Sequence, residues 1–251
     1  MTLPISVFIV TLNEEHNLKR LLPSLNKFDE IIVVDSGSTD NTVELAQSFG
    51  AKVVYNEWPG YAKQKQLAMS LCSNEWVFNL DADELIPETL LPEIENAIKT
   101  NECTSVKLAR CDYFLGKAMP KQCSLFSNVR LYKKSMASFD ETFLVHESAD
   151  VKGKQLFIKS PFLHFGYNDI DTLCEKLNTY SSLKALEKFQ KGKRYSLLKL
   201  ALILPIEFIR KLALQRFALF GSRGFILSTL YANYAFQKEA KLFELHKTKE
   251  K

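Results

Sequence analysis

Apolar and polar positions fall along the chain in blocks, and the blocks change period. Residues 4–11 (PISVFIVT), 30–35 (EIIVVD), 51–56 (AKVVYN) and 75–81 (EWVFNLD) are short runs of apolar, often β-branched side chains, the pattern of buried strands. Between them, residues 14–27 carry Leu18, Leu21, Leu22 and Leu25 at helical spacing, and residues 41–49 and 61–72 also read as helices. Asp40 or Thr39 is placed to cap the second of these. Strands alternating with helices predict a mostly parallel α/β sheet with helices on both faces and right-handed connections.

Periodicity weakens over residues 104–165, where SVKLARCDYF, NVRLYKK and QLFIKSPFLHF are the predicted strands. From residue 168 the chain turns helical, and the first long helix is expected to end at Gly192. The division this predicts is an α/β domain over 1–167 and a helical C-terminal region over 168–251. Residues 195–236 are very apolar, yet Lys199, Pro205, Glu207, Arg210, Lys211, Arg216 and Arg223 interrupt them, so no membrane-spanning helix is expected. Basic amphipathic helices of this kind suit the surface of an anionic bilayer; the other reading is that they pack on the α/β domain or on a second subunit.

Charge sharpens the division. Residues 184–251 hold 15 Lys/Arg against 5 Asp/Glu, a net of +10, while the first 183 hold 18 against 24, a net of −6. An acidic front and a basic tail imply two surfaces with different partners, and nothing in the pattern points to nucleic acid. The five cysteines include no C-x-x-C spacing, which excludes a zinc ribbon or thioredoxin-like motif and fits a reducing, cytoplasmic setting. The N-terminal apolar run has no basic residue before it and is not expected to be a signal peptide.

The chemistry is concentrated at strand ends. In open parallel sheets, ligands bind beyond the carboxyl ends of the strands. Here those ends carry Thr11-Leu12-Asn13-Glu14, Asp35 and Asp81-Ala82-Asp83-Glu84. Like charges so close together repel, and a divalent cation reverses that repulsion. Mg²⁺ or Mn²⁺ shared between carboxylates and the phosphates of a nucleotide is one use of such a cluster. The other reading is a solvated loop in which Asp83 or Glu84 caps the helix before Pro87. There is no G-x-G-x-x-G and no P-loop motif, so dinucleotide and P-loop binding are not supported.

VFIVTLNEE, IIVVDSGSTDNT and FNLDADE, in this order, resemble the nucleotide-sugar-binding motifs of family 2 glycosyltransferases with the GT-A fold. LVHES (144–148), FLHFGY (162–167) and RGFILSTLYANYAFQKEAKL are further similar to bacterial lipopolysaccharide-core β-1,4-glucosyltransferases. The resemblance implies a metal-dependent, inverting transfer of glucose from UDP-glucose to an inner-core heptose, by an enzyme peripheral on the cytoplasmic face of the inner membrane. It places Thr11, Asn13 and Glu14 at the nucleoside, Asp81 at the ribose, and Asp83 at a Mg²⁺ or Mn²⁺ ion. Asp35 would accept the uracil N–H or, alternatively, start the Ser36-Gly37-Ser38 turn. Lys65, with Lys63 as a second candidate, would touch uracil or diphosphate unless it lies on a solvated helix face. Gln66 stands where the family tends to have Asn. Glu147 is the candidate base that takes the acceptor proton, with His146 beside it and Asp140 and Glu141 as the other acids available. His164 would complete the metal shell or be a packed core residue. Glu84 is expected to be an exposed helix-start charge. Arg130, Lys133 and Lys134 would meet anionic groups on the acceptor or be solvated. Two competing functions remain: a family 2 transferase acting on a polyprenyl-phosphate or exopolysaccharide precursor, and a non-enzymatic sugar-nucleotide-binding scaffold.

Overall fold

The structure is a computed structural model that describes residues 2–123, 127–139, 148–167 and 169–249. It divides into two compact units. Unit 1 comprises residues 1–111 and 126–165; unit 2 comprises 112–125 and 166–251. Residues 112–125 thus belong with the C-terminal helices, although the sequence pattern placed them in the α/β domain.

Unit 1 is built on strands β1 (Leu3–Thr11), β2 (Phe28–Asp35), β3 (Lys52–Tyr55), β4 (Trp76–Asp81) and β5 (Glu84–Leu85), with helices α1 (Glu15–Leu21), α2 (Thr42–Ser48), α3 (Tyr61–Ser70) and α4 (Leu91–Thr100) between or after them. The helix expected over 14–27 is shorter than its leucine pattern. Pro23 falls where α1 gives way to a 3₁₀ turn over Leu22–Leu25, because proline supplies no N–H for a continuing helix. The carboxylate of Asp40 accepts the Thr42 N–H at 3.0 Å, but the N-cap of α2 is Asn41, whose side chain makes no capping hydrogen bond, so neither Asp40 nor Thr39 holds the capping position the sequence suggested.

Later strands are β6 (Ser105–Phe114), β7 (Lys117–Ala118), β8 (Ser127–Lys133), β9 (Ala137–Phe139), β10 (Ala149–Val151) and β11 (Gln155–Tyr167). The main sheet runs β3-β2-β1-β4-β8-β6-β11-β5. The first four are parallel to one another; β8 is antiparallel to β4 and to β6. β1 is central, and the chain winds outward from it to β2 on one side and to β4 on the other. At such a reversal of strand order, ligands of open α/β sheets bind in the crevice outside the carboxyl ends of the strands, here those of β1 and β4.

Alternation along β1 builds both faces of the sheet. Ile5, Val7 and Ile9 pack with Leu18, Leu21, Leu22 and Leu25 on one face. Phe8 joins Ile32, Val34, Ala68, Met69 and Tyr132 on the other. Strand residues buried on both faces are the signature of a parallel sheet covered by helices.

Unit 2 contains α5 (Ile170–Gln190), α6 (Leu197–Ile209) and α7 (Ser222–Lys249). Asp169 caps α5 by accepting the Thr172 N–H at 2.7 Å. Gly192, at φ 68°, follows its last turn. Leu173, Phe217, Phe220 and Leu227 form its core with Phe114 and Met119. Gly224 is required by packing: a Cβ there would lie 1.7 Å from the Phe217 carbonyl oxygen. α6 differs from the other long helices in having no buried residue.

This contrast gives a direct test. Phe8→Ala, at a fully buried position, should lower stability by about 3–5 kcal/mol in urea unfolding, from lost burial and the cavity left behind. Leu198→Ala, at a position 71% exposed, should change it by less than about 0.5 kcal/mol.

Candidate active site

Strand register sets the first row of the site. Thr11 lies opposite Asp35 across β1 and β2, and Val10 lies opposite Asp81 across β1 and β4. Three residues singled out from strand ends in the sequence therefore share one edge of the sheet.

Asp35 is almost fully occupied by its own turn. One carboxylate oxygen accepts the backbone N–H groups of Gly37 at 2.9 Å and Ser38 at 2.8 Å. The other accepts the Ser38 hydroxyl at 2.5 Å and the Thr11 hydroxyl at 3.0 Å. Burial opposes the charge, but these donors outweigh it and hold Asp35 below the usual carboxylate range. The turn-starting role is thus visible in the geometry. For Asp35 to accept a uracil N–H as well, one of its internal donors has to give way.

Asn13, at φ 56°, latches the same turn from the β1 side. Its backbone N–H donates to the Ser38 hydroxyl at 2.8 Å, and its side-chain carbonyl accepts the Thr39 N–H at 2.8 Å. Glu14 ties the chain to α2, its N–H donating to the Thr42 hydroxyl at 2.8 Å, while its carboxylate accepts the Asn17 amide at 2.7 Å. Residues 11–14 and 35–42 are thereby fixed to one another before any ligand arrives.

The end of β4 carries an ion cluster. Asp81 accepts Lys65 Nζ at 2.9 Å through one oxygen and Arg130 Nη2 at 2.7 Å through the other. Arg130 also donates to Glu84, which accepts the Asp81 N–H at 3.0 Å through its second oxygen. Lys65 and Arg130 are buried, at 3% and 6% exposure. This corrects three sequence expectations. Glu84 is not an exposed helix-start charge: it lies in β5 at 1% exposure. Lys65 is not on a solvated helix face, and Arg130 is neither solvated nor open to an acceptor. The sequence concealed this because the bonded partners are 16 to 49 residues apart. Lys63, by contrast, is exposed. Gln66 accepts the Phe139 N–H at 3.0 Å.

The cluster sets the protonation states around it. Burial works against the Asp81 charge, yet Arg130 and Lys65 outweigh it and hold Asp81 well below the usual range. Burial pushes Glu84 up to about 7, with the Arg130 guanidinium pulling the other way and Asp81 adding to the rise. Asp81 keeps 37% of its side-chain surface open, so the crevice reaches it.

Asp83 stands apart from that cluster. Its carboxylate lies 3.6 Å from His164 Nε2, with the two side chains 15% and 12% exposed. The pairing of β11 with β5 creates this proximity: His164 is opposite Glu84 in register, and the Phe165 N–H donates to the Asp83 carbonyl at 2.7 Å. Arg20 from α1, which the sequence reading did not single out, lies 4.1 Å over the Phe165 ring. Its Nη1 is buried without a hydrogen-bond partner among the described residues.

The Asp83 carboxylate is the ligand type that Mg²⁺ or Mn²⁺ takes, and the His164 imidazole is a softer donor that suits Mn²⁺ better than Mg²⁺. No group of three or more His, Cys, Asp or Glu among the described residues can hold a metal alone. Asp83 and His164 would supply two ligands to such an ion. Glu147, His146, Asp140 and Glu141 lie outside the described residues.

The ion cluster predicts two stability effects. Arg130→Met leaves the buried Glu84 without its cation and Asp81 with Lys65 alone, and should cost about 3–5 kcal/mol in urea unfolding. Glu84 binds its proton more tightly in the folded protein than in the unfolded chain. The stability this contributes is fully present below the ordinary value of 4.5, and is lost as pH rises through about 7. Between pH 4.5 and 7.5 the wild type should therefore lose on the order of 2 kcal/mol more than Glu84→Gln, read from paired denaturation curves.

Comparisons with known proteins agree with this architecture. Residues 6–155 match the profile of Glycosyl transferase family 2. The chain is 37% identical over 257 residues to the lipopolysaccharide core biosynthesis glycosyltransferase LpsC of Rhizobium meliloti, covering 98% of this chain and 94% of that protein. It is 35% identical to an uncharacterized glycosyltransferase of Rickettsia typhi, covering 96% and 87% respectively. Among solved structures, S. aureus TarS 1-349 in complex with UDP-GlcNAc gives a TM-score of 0.54 at 15% identity, covering 95% of this chain and 92% of that one. At that identity the likeness is one of fold, and the fold is the GT-A type. With its profile match across most of the α/β unit and relatives aligned along nearly its whole length, the chain belongs to glycosyl transferase family 2.

Proposed function

We propose that this glycosyltransferase moves glucose from UDP-glucose onto a heptose of the lipopolysaccharide inner core, in β-1,4 linkage and with inversion. The observation that carries this reading is the likeness, along almost the full length of both chains, to the R. meliloti protein named for lipopolysaccharide core biosynthesis. The strand-end crevice supports it from the chemical side. In this reading Thr11, Asn13, Glu14 and Asp35 border the nucleoside, and Asp81 reaches the ribose from the part of its side chain left open. Lys65 acts through Asp81, holding that carboxylate in place.

Asp83 and His164 would hold a Mg²⁺ or Mn²⁺ ion, whose chemistry is to balance the charge that gathers on the UDP diphosphate as it leaves. Glu147 takes the proton from the attacking acceptor hydroxyl. The acceptor oxygen forms a bond to the anomeric carbon as the bond from that carbon to the UDP oxygen breaks. A single displacement inverts the centre and needs one base, unlike the paired carboxylates of retaining hydrolases.

No helix among the described residues is long and apolar enough to cross a membrane. The acceptor is membrane-anchored in this reading, so the enzyme works as a peripheral protein on the cytoplasmic face of the inner membrane.

The reading is tested by incubation with a panel of UDP- and GDP-sugars and truncated lipopolysaccharides, with products identified by mass spectrometry. UDP-glucose and a heptose-terminated core should give the product; transfer from another donor alone would replace the donor assignment. Asp83→Ala should lower turnover by on the order of 100-fold or more. EDTA should reproduce that loss and added divalent ion should reverse it, whereas full activity in EDTA excludes the metal role. Glu147→Gln should retain UDP-glucose binding in calorimetry while transfer falls by roughly 100-fold or more. Wild-type transfer by Glu147→Gln, with loss in Asp140→Asn, would move the base to Asp140.

A further inference from the structure

The basic residues of the C-terminal region separate into two groups once their surroundings are known. Of the basic residues in the apolar stretch 195–236, Arg210, Lys211 and Arg223 have partners within the helical unit. Lys211 is 7% exposed and sits 4.3 Å over the Tyr231 ring; burial brings its ammonium down to about 8. Arg223 donates to the Leu115 carbonyl at 3.2 Å. Arg210 is paired with Glu207 at 2.5 Å.

A second basic group gathers where α5 and α7 meet the start of α6. Lys184, Lys188, Lys191, Lys193, Arg194 and Lys199 line a cavity of about 410 Å³ together with Glu187, Glu239 and Leu242. Glu187 is shared between Lys184 at 2.8 Å and Lys191 at 2.7 Å. Glu239, at 4% exposure, is shared between Lys188 and Lys199, the latter at 3.0 Å. The hydrogen bonds from Lys184 and Lys191 hold Glu187 down to about 2, so it remains an anion. Six cations against two carboxylates leave a surplus of four positive charges around one concave space. Such a surplus calls for an anion.

The helix that carries Lys199 is also the one with no buried residue. Leu197 and Leu198, just before Lys199, are 65% and 71% exposed; Leu202, Leu204, Ile206 and Ile209 follow at 45–60%. Six large apolar side chains exposed on one 13-residue helix are the kind of surface that interaction sites use. Apolar side chains beside a basic cleft complement a surface with anionic headgroups outside and acyl chains beneath. A second copy of this chain would instead bring a second basic cleft against the first.

We propose that α5, α6 and α7 form a membrane-docking surface that seats an anionic phospholipid headgroup in the lysine-lined cleft while α6 lies at the headgroup–acyl boundary. This rests on the reading that the enzyme works at a bilayer, and it names the surface that does so.

The test uses the full chain in vesicle flotation, with phosphatidylcholine vesicles and with phosphatidylcholine containing 30% phosphatidylglycerol. Wild type should bind the anionic vesicles at least 10-fold more tightly, and less as salt rises. Lys191→Gln/Lys193→Gln/Arg194→Gln leaves the buried Glu239 pairs intact and should abolish that preference. Leu198→Gln/Ile206→Gln/Ile209→Gln should weaken binding to anionic vesicles at least 10-fold. Circular-dichroism melts should show both variants folded, and both should transfer sugar to a soluble, delipidated acceptor at wild-type rate. Equal binding of both variants and wild type to anionic vesicles overturns the proposal. So does a dimer in sedimentation that only the apolar variant dissolves, which would assign α6 to a second copy. Saturable binding of inorganic phosphate without vesicle binding also overturns it, by assigning the cleft to a soluble phosphorylated ligand. Loss of soluble-acceptor transfer in wild type, with vesicle binding intact, would instead count against the function and leave the docking surface standing.

Discussion

The active-site edge depends on the charge balance at the end of β4. Asp81 and Glu84 bring two carboxylates into a region where an unpaired charge would cost several kcal/mol. Arg130 from β8 and Lys65 from α3 answer them. One guanidinium bridging two carboxylates ties the antiparallel half of the sheet to the parallel half. The lysine ties in the helix that crosses between β3 and β4. The same geometry leaves Asp83 outside the cluster, next to His164, where the motif meets a separate strand.

The other side of the crevice is prepared in a different way. Its central carboxylate is Asp35, whose partners are neutral hydroxyls and backbone N–H groups. Asn13 closes the same turn from the opposite strand. Two rigid walls, one held by ion pairs and one by turn hydrogen bonds, flank the point where the strand order reverses. A crevice whose polar groups are already oriented loses little freedom when a ligand enters.

In unit 2 the decisive feature is the uneven distribution of burial. α5 and α7 each bury part of one face, whereas α6 leaves its leucines and isoleucines exposed beside a cluster of lysines. Basic residues equally prominent in the sequence play unlike parts: Lys211 lies over aromatic rings in the interior, while Lys193 and Arg194 line an open cleft.

The sequence alone determined the local elements and the family. Apolar runs located β1, β2 and β4, because strands buried on both faces write their pattern into consecutive residues; β6, β8 and β11 lie where the periodicity is weaker and were read from shorter runs. The three strand-end motifs were legible because each is contiguous, and so was the likeness to family 2 glycosyltransferases. What the sequence did not contain was which charge answers which. Glu84 reads as a surface residue until β11 covers β5, and Arg130 reads as a strand charge until β8 pairs with β4. The assignment of 112–125 to the helical unit was hidden for the same reason. Burial and ion pairing depend on groups distant in the chain, so only the tertiary structure decided which charges hold the protein together and which remain for a ligand or a membrane.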